Sequence, residues 1–463
     1  MRIKNILIGF CFALLGAAAA FAQPAGAPAP APPKPFNIPE VHKFTLPNGL
    51  EVRMVHYSDV PKVTVELDTF AGNMNETANQ VWLADLTGRM LEQGTPTRNA
   101  EQIALEAARM GGSLDVSVGM NETSIGGDVL SEFAPEMIGL VADVAMHPAF
   151  PEGEIARLKS DLQRELAIAR SQQQSLAHEA FLKALYPEHP YGRLFPTVGM
   201  IDAYTVDQVR SFYQNNFDAK RSRIYVVGRF DDAAVEKAIR DALSGWGAGA
   251  PAKFNPPTPT SKRVVDLINR PGAVQSTLYI GLPTIDPTSP DYIPLQVTDA
   301  LLGGSFGSRI TSNIREAKGY TYSPRSTFGT MVGAGYWAEI ADVTTAVTGP
   351  SITEIMKEIE RLRGEPPTAE ELRGIQNYMA GIFVLRNSSR AGIVNQLNVL
   401  DLYGLPENFL RNYVQNVYAV TPSQVQQVAK KYLDSAKMTI VVAGEKDVIL
   451  EQLEPFGTVV PLQ

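Results

Sequence analysis

Apolar residues recur along this chain with two periods, and the alternation between them marks out its elements. FTL and LEVRMV flank Asn48-Gly49, so residues 44–56 read as a hairpin. Residues 63–70 alternate apolar and polar and predict a further strand. Helical spacing then runs over 80–93 and stops at Gly94, a residue suited to closing a helix. Residues 111–127 return to strand and turn character. The stretch 152–169 is amphipathic, with Ile155, Leu158, Leu162, Leu166 and Ala169 on one face. Helices at 176–185 and 206–217 and a strand at 223–227 complete the unit.

A Pro-rich segment, 248–261, interrupts the pattern, and the same order of elements then repeats. TVDQVRSFYQNNFDAKRSRIYVVGRFD (205–231) parallels TPSQVQQVAKKYLDSAKMTIVVAGEKD (421–447). Each has a Thr suited to an N-cap, an amphipathic helix, a strand, and a Gly shortly before an acidic residue. The helices near Leu83 and at 152–169 match those near Ala300 and at 368–385. Duplication predicts an α+β chain of two similar halves, with boundaries at 1–22, 23–37, 38–247, 248–262 and 263–463.

The first residues bear on compartment. Arg2 and Lys4 precede an apolar run from Ile6 to Leu15, and Ala20-Phe21-Ala22 ends in a small-x-small site. These are the parts of a secretory signal, so the expectation is export across the inner membrane to the periplasm. Residues 23–37 are Pro/Ala-rich and read as an extended tether. Cys11 is the single cysteine, which rules out thiolate metal sites and internal disulfides after it. The net charge of −8 excludes a general affinity for nucleic acid. No later run reaches the roughly 18 apolar residues of a membrane span.

FTLPNGLEVRMV, a strand, and a helix ending in EQGT resemble the start of the M16 (pitrilysin/insulinase-type) metallopeptidases. Active members carry H-x-x-E-H on that helix: two His one turn apart bind zinc, and the Glu activates a bound water. Carried over by position, the resemblance places Asp85, Gly88 and Arg89 at those three sites. A third ligand position falls at Glu165, and the acidic residue that often supports it is replaced by Leu158. The five His residues (42, 56, 147, 178 and 189) have no ligand spacing between them. Asp85 and Arg89, four apart and opposite in charge, are candidates to pair where the metal would sit. A solvated helix face explains them equally well. A metal site built from Asp85, Glu92 and Glu165 is a further, less favoured reading. The chain also lacks a G-x-S-x-G elbow and a reactive thiol.

LLGGSFGSRITSNIREAKGYTYSPRSTF (301–328) is similar to an M16 stretch in which an Arg and a Tyr seven residues later bind substrate. The resemblance implies that role for Arg315 and Tyr322, with Gly319 ending the helix and Tyr322 opening the next strand. A guanidinium and a phenol both donate to a peptide carbonyl. The alternative is an Arg paired to a carboxylate and a Tyr packed in the core. The stretch 67–72 is read as the end of an edge strand able to pair with a peptide, and 329–335 as a turn. Together these features imply a non-catalytic subunit with no cofactor of its own. Zinc is expected in a partner that carries H-x-x-E-H, and peptide is held between the two. A non-proteolytic scaffold of the envelope is the alternative.

Overall fold

The computed structural model describes residues 39–462. The expected signal (1–22) and the whole of the 23–37 tether lie outside them. Twelve strands form two six-stranded sheets. The first holds β1 (Val41–Thr45), β2 (Glu51–His56), β3 (Lys62–Thr69), β4 (Asp115–Val118), β5 (Thr123–Leu130) and β6 (Ser222–Gly228), in the order β1-β2-β6-β3-β5-β4. The second holds β7 (Val264–Asn269), β8 (Gln275–Thr284), β9 (Arg325–Met331), β10 (Ala334–Thr344), β11 (Thr439–Gly444) and β12 (Val459–Leu462), in the order β12-β7-β11-β8-β10-β9. The repeat is explicit: β6 and β11 each insert late, parallel to one neighbour and antiparallel to the other. The helices before them, Val206–Asn216 and Pro422–Tyr432, open with the same capping box, Thr205 with Gln208 and Thr421 with Gln424.

Period-two alternation divides each sheet into two apolar faces. In the first, Val52, Met54, Val63, Val65, Leu67, Ile224 and Val226 join helices Leu83–Leu91, Ala134–Met146, Ile155–Ser171, Val206–Asn216 and Asp232–Leu243 in one core. The opposite side of the same strands presents Val55, Tyr225 and Val227, and these pack on Ile393, Val394 and Leu397. Those three belong to helix Arg390–Tyr403, which lies beyond the second sheet's strands β7–β10 in sequence. The reverse exchange also occurs. Ala177, Phe181, Leu182 and Leu185 of helix Gln173–Leu185 pack on Tyr279, Ala338, Ile340, Val441 and Ala443 of the second sheet. Each half thus covers the far face of the other half's sheet.

Polar groups fix the first of these contacts. Arg390 makes two bonds to Asp128, at 2.9 and 2.8 Å. Asp401 accepts from Arg53 and from Tyr225, each at 2.9 Å. Asn398 donates to Asp68 and, at 2.8 Å, to Glu122. Arg53, Thr64, Glu66 and Asp68 alternate with the core residues of their strands, which is why they meet this helix.

Asp68, Glu66 and Glu122 crowd together beneath Asn398. Burial, then the neighbouring charge of Asp68, pushes Glu122 up from 4.5 to about 7. Burial and the Glu66 charge likewise raise Asp68, while bonds from Asn398 and Ser124 oppose the shift. Acids raised on folding stabilise the fold fully below their unfolded values and lose that contribution as pH climbs through the folded ones. For Glu122 the window is pH 4.5 to about 7. Glu122→Gln, which keeps an acceptor for Asn398, should therefore melt close to wild type at pH 5. At pH 8 it should melt higher by roughly 2–4 °C, read by calorimetry.

Candidate functional site

The helix expected over 80–93 is shorter. Trp82 takes a left-handed conformation (φ 69°), so the helix starts at Leu83 and ends at Leu91. Glu76 closes its open start, accepting from the Ala84 amide at 2.8 Å. That carboxyl is pushed up to about 8, chiefly by burial.

Asp85 and Arg89 do not bond to each other. Asp85 accepts from Asn73 Nδ2 at 2.6 Å, and burial raises its carboxyl. Arg89 Nη2 instead donates to Glu165 Oε2 at 2.6 Å. The positions of the second His and the third ligand are thus brought together as a salt bridge. The two side chains are 30% and 47% exposed, so the pair contributes only about 0–1 kcal/mol. An arginine reaches farther than an imidazole and places a permanent cation on the carboxylate a metal would need.

Gly88, at the position of the catalytic Glu, is buried against the edge strand. A Cβ there would lie 2.5 Å from Val118 Cγ2 and 3.5 Å from Val116 Cγ1. Glu92 accepts from the Val116 amide at 3.0 Å and so ties β4 to the helix. Asp85, Glu92 and Glu165 are each engaged with a different partner, and the reading of a metal site built from them is set aside. Among the described residues no group of three or more His, Cys, Asp or Glu is placed to hold a metal ion. These residues do not fit zinc.

The stretch 67–72 does not provide an edge. Leu67, Asp68 and Thr69 end β3, which is bonded to β5 on one side and β6 on the other. The edges of this sheet are β1 and β4, and Glu92 occupies one outward amide of β4.

In the second half, helix Tyr292–Asp299 continues as a wide π-helical turn, Ala300–Gly304, and a second π-helical segment spans Thr311–Ala317. Ile310 and Ile314 anchor the latter in the core. Arg309 makes a two-pronged bond to Glu371, at 2.7 and 2.9 Å, and Asn313 donates to Glu354 and Glu358, each at 2.8 Å. Arg315 projects from this fixed base. Its guanidinium carbon lies 5.0 Å from the centre of the Tyr322 ring and 4.5 Å from that of Phe306. The two rings are 79% and 69% exposed, so Tyr322 is not a core residue. Among the described residues, Arg315 forms an ion pair with adjacent Glu316 alone, at 3.2 Å. Gly319 (φ 65°) does end the helical segment, but Tyr322 lies in a turn and the strand begins only at Arg325. The turn read over 329–335 narrows to Val332-Gly333 between β9 and β10.

The sequence reading missed Phe306 and Val118. Its available signal for Phe306 was a large apolar residue inside a Gly-rich turn, where no core position is expected.

Gly88→Glu should destabilise the chain by about 1–3 kcal/mol, because the added side chain meets Val118. Val118→Ala in the same chain should recover part of that loss in urea unfolding. A Gly88→Glu chain as stable as wild type would show that β4 does not close this space.

The comparisons bear on family and fold. A family model described as insulinase (peptidase family M16) matches residues 52–195, and one described as peptidase M16 inactive domain matches 203–379. A Streptomyces coelicolor protein named uncharacterized zinc protease is 22% identical over 419 residues, spanning 89% of this chain and 91% of its own length. Uncharacterized zinc protease YmxG of Bacillus subtilis is 22% identical, spanning 84% and 95%. The solved peptidase M16 inactive domain from Pseudomonas fluorescens superposes with a TM-score of 0.79 at 25% identity, over 88% of this chain and 98% of that one. A Helicobacter pylori protease superposes at 0.81 with 17% identity, over 88% and 100%, and shares the fold.

Proposed function

The chain belongs to the M16 peptidase family, and from that premise we propose that it is a non-catalytic subunit holding peptide for a zinc-bearing partner. The observation that carries this reading is the open stack of Arg315 on Tyr322 in a chain whose zinc positions hold an ion pair. In the first half, positions 85, 88 and 89 are Asp, Gly and Arg, so they carry neither imidazole nor the central carboxylate of the motif. The second half keeps an exposed guanidinium and phenol on an anchored base.

Arg315 donates to a peptide carbonyl through a planar fork of N–H groups, and the Tyr322 hydroxyl adds a further donor. Two such donors orient an extended peptide and favour the oxyanion that forms when its carbonyl is attacked. The attacking water and the metal that activates it belong to the partner, a related chain with H-x-x-E-H. Export to the periplasm, read from residues 1–22, is part of the same proposal. Among the described residues no helix is long and apolar enough to cross a membrane.

The test is reconstitution. The isolated chain should hydrolyse no peptide and bind no stoichiometric zinc by metal analysis, and adding the partner should give cleavage. In the complex, Arg315→Ala should lower kcat/KM by roughly 10²-fold and Tyr322→Phe by less, with the zinc content unchanged. Unchanged kinetics in both variants would remove the role assigned to the pair. A stable complex with no peptidase activity would instead favour a structural role in an envelope assembly.

A further inference from the structure

We propose that the Arg315–Tyr322 site continues past Phe306 into a groove that takes one hydrophobic side chain of the bound peptide, an inference that rests on the peptide-holding role above. Phe306 carries the link. One contact of its ring is the Arg315 guanidinium, and the ring also lines a groove of about 550 Å³ between the 305–307 turn and helix Ala369–Arg386. The rest of the lining includes Leu301, Ser305, Gly374, Ile375 and Tyr378.

Three observations favour a peptide side chain as the occupant. First, the groove is continuous with the donors that would hold the peptide backbone, because Phe306 belongs to both. A carbonyl bonded to Arg315 therefore puts a neighbouring side chain within reach of the groove. Second, exposed aromatic residues gather here: Phe306 and Tyr322 flank the Arg315 guanidinium, and Tyr378, also open to solvent, lines the groove. Rings left exposed beside an ordered guanidinium resemble the aromatic anchors of a recognition site more than scattered surface residues. Third, charge selects against an acidic occupant. Glu370 and Glu371 stand in the lining; Arg309 pairs with Glu371, and among the described residues no ion pair engages Glu370. The predicted preference is Phe or Leu over Ala, with Glu no better than Ala.

Gly374 makes the proposal testable without disturbing the fold. A Cβ added there meets no heavy atom within 4 Å, so Gly374→Leu fills the groove from its helical side. The probes are three fluorescein-labelled decapeptides of Gly, Ser and Asn that differ at one central position, which is Phe, Ala or Glu. Their binding to the full chain is read by fluorescence anisotropy. Wild type should bind the Phe peptide at least about tenfold more tightly than the other two. Gly374→Leu should bind all three with the affinity wild type shows for the Ala peptide. Arg315→Ala should weaken all three alike. Equal binding of the three by wild type, or a Phe preference retained in Gly374→Leu, overturns the groove while leaving the Arg315–Tyr322 reading intact. Absence of binding by any peptide overturns both. If Gly374→Leu keeps the Phe preference but no longer joins the catalytic partner, the groove is an intersubunit contact and the proposal fails.

Discussion

Each sheet has two apolar faces and only one set of local helices to cover them, and the structure follows from how the second face is closed. A bare face carrying Val55, Tyr225 and Val227 would expose a large apolar surface. Exchange of helices 173–185 and 390–403 removes both liabilities at once. The cost is independence: neither half has a complete core without the other. The 248–262 segment is therefore not a hinge between self-sufficient units, since Thr260 donates to the Leu185 carbonyl and His189 bonds the Asn255 carbonyl along its course.

The two halves also divide the chemistry. At the positions the resemblance assigns to zinc, the side chains are mutually consistent: Arg89 pairs with Glu165, and Gly88 lets β4 settle on the helix. A longer side chain at 88 would have to displace Val118, so packing there constrains any change of chemistry. In the second half the chemistry is different in kind. Arg309, Asn313 and the buried isoleucines spend their interactions on fixing the base, which leaves Arg315 stacked between two exposed rings.

Much of this was legible in the residues. The N-caps at Thr205 and Thr421 and the strands after them followed from local rules, and so did the duplication. The positions 85, 88, 89 and 165 came from resemblance, and the pairing of Arg89 with Glu165 was not among the expectations. What was not legible depends on pairing at long range. Leu67–Thr69 alternates as an edge strand would, but whether a strand is central is decided by β6, more than 150 residues later. The exchange was invisible for a related reason: an amphipathic helix announces that it has an apolar face but not which sheet receives it. Asp85 and Arg89 had the right spacing to pair, and tertiary partners, Asn73 and Glu165, took each of them instead.

Helix exchange also sets an order of events in synthesis. β6 ends at Gly228, while the helix that covers its outer face begins at Arg390. At roughly 5–20 residues per second, a translating ribosome needs on the order of 8–30 s to supply the intervening chain. During that interval the first sheet, if formed, carries an uncovered face of Val55, Tyr225 and Val227 interleaved with Arg53, Glu66 and Asp68. Those charged residues, of which Arg53 and Asp68 later bond the arriving helix, oppose association of the nascent face with other chains until its cover is made.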